Sequence, residues 1–204
     1  LQNNSEIGKF AATMQFKNKD MNRCEWATTD PLLQKYHDEE WGIPVHDDRE
    51  HYMYMLMESM SCGLSWLLML KKREVFRACF ANFNYEKVAR FTSNDVERIM
   101  NTENMIRSQR KIEGMIANAR AFIKVREEFG TFDNYIWRFS KGETKVYSSH
   151  KNKTCVSNAL SDKVSSDLRK RGFKYIGTVI TYSHLQGIGM IDDHQENCFK
   201  YHGK

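Results

Sequence analysis

Residues 105–129 constrain this chain more than any other stretch. Met105, Ile106, Ile112, Met115, Ile116, Ala119, Phe122, Ile123 and Val125 recur mostly three or four positions apart. That spacing fits the 3.6-residue turn of an α-helix and not the two-residue period of a strand. Gly130 follows as a stop. A helix this long with one apolar face has to bury that face against neighbouring elements. The rest of the chain can supply helices for the purpose. It has only two prolines in 204 residues, few β-branched runs and many Met, Leu, Lys and Glu. With 41% hydrophobic and 12% aromatic residues, there is enough apolar surface for a real core. The expected fold class is all-α.

Start signals place the other helices. Asp30 is a good cap for a short helix opening at Pro31, with Tyr36 and His37 at its far end. Asp47 or Asp48 caps a helix over 49–61, and another is expected over 64–79. Short helices begin at Asn84 and near Ser93, Asn94 or Asp95. One more covers Phe132 to Phe139, 140–156 reads as a polar loop, and helices follow over 157–171 and 178–188. Residues 1–20 are polar and weakly patterned and read as an extension; 21–204 reads as a single domain. No repeat is visible. No run of about 18 apolar residues exists, so no membrane partner is expected, and the N-terminus lacks the apolar core of a signal peptide. The five cysteines, at 24, 62, 79, 155 and 198, are odd in number and scattered. They suit thiols or metal ligands in a reducing compartment, hence a cytoplasmic location. A net charge of +5 is compatible with a polyanionic partner.

Three constellations carry chemistry. The first is Glu58-Ser59-Met60-Ser61-Cys62-Gly63-Leu64-Ser65-Trp66, where an apolar helix breaks at Gly63. A carboxylate and a flat indole across such a break can wall a pocket for a flat, electron-poor ring; the plainer reading is a surface Glu and a core Trp. The second is the turn Gly172-Phe173-Lys174-Tyr175-Ile176-Gly177 between two helices, with Lys170 and Arg171 beside it. It is either a phosphate clamp made of backbone N–H groups or an ordinary turn with solvated lysines. The third pairs Cys24 and His37, near one end of the chain, with His194 and Cys198, one helical turn apart near the other. Two Cys and two His make a closed tetrahedral set suited to structural Zn²⁺. Otherwise Cys24 is a small buried hydrophobe and the histidines are surface groups.

Taken in order, Cys24-x-Trp26, Tyr36-His37-Asp38-x-Glu40-Trp41-Gly42, Gly63-Leu64-Ser65-Trp66, Leu70-Lys71-Lys72-Arg73-Glu74, Arg171-Gly172-Phe173-Lys174 and Asp193-His194-x-x-x-Cys198 resemble the 3-methyladenine DNA glycosylase I family. This is a branch of the helix-hairpin-helix glycosylases, and the likeness spans about 21–200. The resemblance implies an all-α fold with a structural zinc on Cys24, His37, His194 and Cys198. It implies a base pocket of Trp26, Tyr36, Glu58 and Trp66, and DNA phosphates held by the turn through Gly172, Lys174 and Gly177. A base methylated at N3 is cationic, so it should stack on Trp66 and be favoured by Glu58, with Tyr36 as a further polar contact. The base must leave the duplex, and Leu64, beside Gly63, is a candidate wedge for the vacated stack. Bifunctional members of the superfamily carry a lysine where this chain has Val179, so no lyase step is expected. The expected partners are double-stranded DNA with alkylated bases and free 3-methyladenine as product, and a monomer is expected.

Three positions depart from the family pattern. Ser61 and Cys62 stand where Gln and Ala are usual. Asp192 stands where this branch more often has Asn; together with Glu58 it is a candidate catalytic carboxylate. The competing expectations are a lesion-binding protein with little turnover and a zinc hydrolase, which would need an open ligand position on the metal.

Overall fold

Side-chain caps set most of the helix starts. Asp30 accepts from the Leu32 N–H and opens helix α1, Pro31–Glu39. Asp47 accepts from the Arg49 and Glu50 N–H groups and opens α2, Asp48–Ser61. Ser65 accepts from the Leu68 N–H and opens α3, Trp66–Lys71. Then follow α4, Arg73–Cys79, α5, Tyr85–Val88, α6, Ser93–Met100, α7, Gln109–Phe129, and α8, Phe132–Trp137. The last two helices are α9, Ala159–Lys170, and α10, Thr178–Gly187. The structure, a computed structural model, describes residues 21–147 and 155–203; the expected extension over 1–20 lies outside the described residues.

The fold is mostly helical, with three differences from the sequence-based expectation. The helix expected over 64–79 is two helices parted at Lys72, whose φ of −102° and ψ of 4° leave the helical region. Neither Gly nor Pro marks that break. The long helix starts at Gln109 and not at 105, because Asn104 takes a left-handed φ of 61°; Met105 is buried from the preceding turn. The loop expected over 140–156 contains a two-residue strand, β1, Lys145–Val146. It pairs in parallel with β2, Ile191–Asp192, in the register Lys145 to Ile191.

The core forms around α7 and α2. Helix α7 buries Ile112, Met115, Ile116, Ala119, Phe122 and Val125 and packs against α2, α5, α6 and α8. Phe122 stacks on Phe132 of α8 with centroids 4.2 Å apart, and the Tyr52 hydroxyl donates to the Met115 carbonyl at 3.2 Å. Helix α2 lies between α7 and α10 and is buried on nearly every side from Tyr54 to Ser61. Gly187 lets α10 come close to α1 and α2, since a Cβ there would stand 3.3 Å from the Tyr36 hydroxyl and 3.4 Å from the Tyr54 ring.

Gly189 joins α10 to β2 and carries the sharpest backbone demand. Its φ is +73°, and an added Cβ would lie 2.4 Å from the backbone of Ile43 and Pro44. Gly142 has a similar φ of +76° but open space around it. Gly142→Ala should therefore cost about 1 kcal/mol of left-handed strain, and Gly189→Ala about 3 kcal/mol or more, because backbone cannot move aside as a side chain can. Urea unfolding of the two variants checks this; equal losses would contradict the packing described.

Candidate active site and metal centre

The site begins with where α2 ends. Glu58, Ser59, Met60 and Ser61 are all buried, Glu58 to 5% exposure. The Ser61 hydroxyl donates to the Glu58 backbone carbonyl at 2.7 Å. The chain then turns through Cys62 and through Gly63, whose φ is +80°. The Leu64 N–H donates to the Ser61 carbonyl at 2.6 Å, and Ser65 starts α3 with Trp66 as its first residue. The break thus holds Glu58 and Trp66 on one wall of a cleft of about 500 Å³. Trp26 and Tyr36 line the same cleft. The Tyr36 and Trp66 rings are 5.3 Å apart and tilted by 50°. Trp26 stands edge-on to Trp41 at 5.0 Å. All four residues expected to form a base pocket therefore meet in one place.

The electrostatics of this cleft are unusual. Among the described residues, no Lys, Arg or His is in ion-pair range of the Glu58 carboxylate. Burial pushes the Glu58 carboxyl up to about 8, with the Ser61 hydroxyl pulling the other way. At neutral pH a shift in this direction favours the protonated carboxyl. Tyr36 stays protonated: burial raises it most, and Tyr54 and Glu58 add to the effect.

Beside the cleft, Cys24, His37, His194 and Cys198 are all buried, and their ligand atoms lie within 4.8 Å of one another. Cys198 Sγ is 3.4 Å from His37 Nε2 and 3.6 Å from His194 Nδ1, and Cys24 Sγ is 3.6 Å from His194 Nδ1. Tetrahedral bonds of metal–N and metal–S length would put such donors roughly 3.3–3.8 Å apart. The donor set thus fits a four-coordinate metal ion. The supporting groups fit as well. His37 Nδ1 pairs with Asp38 at 2.9 Å, and Arg23 grips both oxygens of Asp38, which fixes the ring with Nε2 toward the thiols. Burial alone would raise Asp38, but hydrogen bonds from Arg23 and His37 hold it below the usual carboxylate range. The cluster ties the segment carrying Trp26 to the one carrying Asp193 and Gln195, and all three line the cleft. The Glu25 N–H donates to the Gln195 side chain at 2.9 Å.

The remaining expected residues fall as follows. Gly63 and Leu64 line the cleft, with Leu64 40% exposed. Gly172, Lys174 and Gly177 are exposed on the turn between α9 and α10. Gly172 has a φ of +94°, and Gly177 precedes α10 without a side-chain cap, leaving the first N–H groups of that helix unclaimed by its cap. Val179 is 48% exposed and lines the cleft. Asp192 is not among the lining residues. Its Oδ1 accepts from the His194 N–H at 3.1 Å, and its Oδ2 pairs with His202 at 2.8 Å. The acid that lines the cleft is its neighbour, Asp193, just past the end of β2, which accepts from Tyr182 at 2.6 Å and Gln186 at 2.9 Å. Asp192 is the one of this pair singled out from the sequence as a candidate, and no local signal in the sequence told which of the two acids faces the cleft.

The known proteins that this chain is similar to are methyladenine glycosylases. A family model described as methyladenine glycosylase matches residues 26–201. The chain is 39% identical to the DNA-3-methyladenine glycosylase 1 of Escherichia coli, over 90% of this chain and 98% of that protein. Among solved structures, a 3-methyladenine DNA glycosylase I superposes with a TM-score of 0.83 at 39% identity, covering 88% of this chain and 100% of that one. A point variant of 3-methyladenine DNA glycosylase I in complex with 3-methyladenine superposes with a TM-score of 0.82 at 33% identity, covering 87% and 96%.

The buried carboxyl sets a pH dependence. Its folded-state pKa lies above its unfolded value, so its contribution to stability is fully present below about pH 4.5 and is lost as pH rises through about 8. Relative to Glu58→Gln, the wild-type protein should lose up to ~4 kcal/mol between pH 5 and pH 8.5. Urea midpoints of both proteins at the two pH values measure it. A difference that does not change with pH would mean Glu58 is solvated.

Proposed function

This chain belongs to the methyladenine glycosylase family, and we propose that it hydrolyses the N-glycosidic bond of 3-methyladenine in alkylated double-stranded DNA. One observation carries the reading: a buried carboxyl without a counter-cation, in a cleft walled by Trp26, Tyr36 and Trp66. Such a site discriminates by charge. A neutral adenine gives Glu58 no reason to ionise, whereas a cationic methylated ring supplies the missing partner in a place where water screens little. Trp66 offers its face to that ring by cation–π attraction, and the protonated Tyr36 hydroxyl adds a polar contact.

The base has to be extruded to enter the cleft. Leu64, exposed on the bend after Gly63, fills the vacated stack as apolar wedges do. The turn from Gly172 to Gly177 takes the backbone: the first N–H groups of α10 face a phosphate and Lys174 adds charge. On this reading the chain is a helix-hairpin-helix glycosylase. The positive charge on the bound purine already weakens its bond to the sugar. Water adds at the anomeric carbon and gives up a proton to solvent while the electrons of the broken bond pass to the ring, releasing free, neutral 3-methyladenine and leaving an abasic site. Val179 brings no amine to the sugar, so the reaction stops there. Of the two acids, we place Asp193 and not Asp192 on the sugar side of the cleft.

The Cys24, His37, His194 and Cys198 cluster holds zinc in this reading, and its part is structural. Four protein ligands close the coordination sphere, so it supports no hydrolytic chemistry at the metal. Among the described residues no helix is long and apolar enough to cross a membrane. The five cysteines are free, in keeping with a reducing, cytoplasmic setting. We take the active species to be a monomer.

Chromatography of bases released from N-methylated duplex DNA tests the activity. Wild type should release 3-methyladenine, and Glu58→Gln should release it at least ten-fold more slowly. Tight binding to the alkylated duplex with no released base at high protein concentration would make this a lesion-binding protein instead. For the metal, the purified protein should hold about one zinc per chain, and a strong chelator should lower its melting temperature by 10 °C or more. Unchanged melting with zinc gone would remove the metal from a structural part.

A further inference from the structure

One face of α7 touches both turns that the proposed reading places on DNA. Near the start of the helix, the Lys111 ammonium donates to the Met60 carbonyl at 2.9 Å and to the Cys62 carbonyl at 2.7 Å. Cys62 is the C-cap of α2, with non-helical backbone angles. The last carbonyls of a helix carry its negative end, and here a cation satisfies two of them. Lys111 therefore holds the bend on which Gly63 and Leu64 ride.

Three and seven residues further on, the same helix holds the other turn. The Asn118 amide makes both of its hydrogen bonds to one residue there. Its Oδ1 accepts from the Lys174 N–H at 2.7 Å, and its Nδ2 donates to the Lys174 carbonyl at 3.1 Å. Gly114 gives the Tyr175 ring a seat, since a Cβ at that glycine would lie 2.7 Å from it. Tyr175 takes a left-handed φ of 55° in this position. Positions 111, 114 and 118 fall on one stripe of a helix, and the first and last anchor lie about 10 Å apart along its axis. Ile112, Met115 and Ala119, beside the stripe, are fully buried, so the stripe cannot slide.

We propose that Lys111, Gly114 and Asn118 form a ruler that fixes the spacing between the Leu64 bend and the Gly172–Gly177 turn. On this account they are positioning residues that make wedge insertion and phosphate binding one event. The proposal rests on the reading of those turns as DNA contacts. None of the three residues lines the base cleft, so the account separates binding of the free base from engagement of the duplex.

A double-mutant cycle with Lys111→Met and Gly114→Ala tests it. Gly114→Ala improves helix propensity while pushing on Tyr175, so it reads the ruler without relying on a variant that merely unfolds. Three quantities are measured: tryptophan quenching by free 3-methyladenine, affinity for a duplex with a stable abasic-site analogue, and fluorescence of 2-aminopurine beside the lesion. Each single variant should bind the free base within two-fold of wild type and bind the duplex at least ten-fold more weakly, with a smaller 2-aminopurine rise. The double variant should be little worse than either single one, because a broken ruler cannot be broken twice. Lys111→Arg should recover most of the affinity. Losses that multiply in the double variant would show two independent turns and overturn the ruler, as would a parallel loss of free-base binding. If wild type binds the duplex but releases no base, the proposed activity fails while the cycle still decides the ruler.

Discussion

A carboxyl removed from water with no resident cation is the constraint on which the site depends. Glu58 sits on the last turn of α2, a helix packed between α7 and α10, and is 5% exposed where it lines the cleft. That placement costs stability at neutral pH and above, because the ionised form has lost its hydration and gained no partner. The surrounding core offsets the cost: stacked Phe122 and Phe132, the long apolar face of α7, and the Tyr52 bond to Met115. In the proposed reading this carboxyl is a binding group held in place by a stable scaffold.

The Cys and His cluster has a different duty toward the same cleft. It joins segments about 170 residues apart in sequence, and each contributes a wall: Trp26 from one, Asp193 and Gln195 from the other. The C-terminal tail reinforces it. The Lys200 ammonium donates to the carbonyls of His37 and Trp41 at 2.9 and 2.7 Å, closing the end of α1, the helix that carries Tyr36 and His37. Loss of the cluster should therefore be felt first as a loosened aromatic wall and only then as a loss of fold.

Much of this was legible in the sequence, because local chemistry decides it. Asp30, Asp47 and Gly130 mark helix ends by capping rules, and Gly63 marks the bend beside the pocket. The Cys and His pairs were legible as a donor set, though spacing alone left them open. What was hidden depends on contacts far apart in sequence. The break at Lys72 has no glycine or proline to announce it, and Ala81, Asn82 and Phe83 take left-handed angles with none among them. The pairing of Lys145 with Ile191 joins two segments too short to show a period. The pairing also ends at Asp192, and Asp193, the next residue beyond it, is the acid that lines the cleft. No motif in the sequence marks Lys111 or Asn118. Only the packed structure shows that both hold distant turns.

Following the Glu58 carboxyl carbon by NMR across a pH titration of the ligand-free protein tests the central claim most directly. The account predicts a midpoint near 8, falling when a cationic methylated purine is bound. A midpoint in the ordinary range near 4.5, unmoved by ligand, would mean that the carboxyl is hydrated or already paired, and the charge-based selectivity argued for this cleft would have no basis.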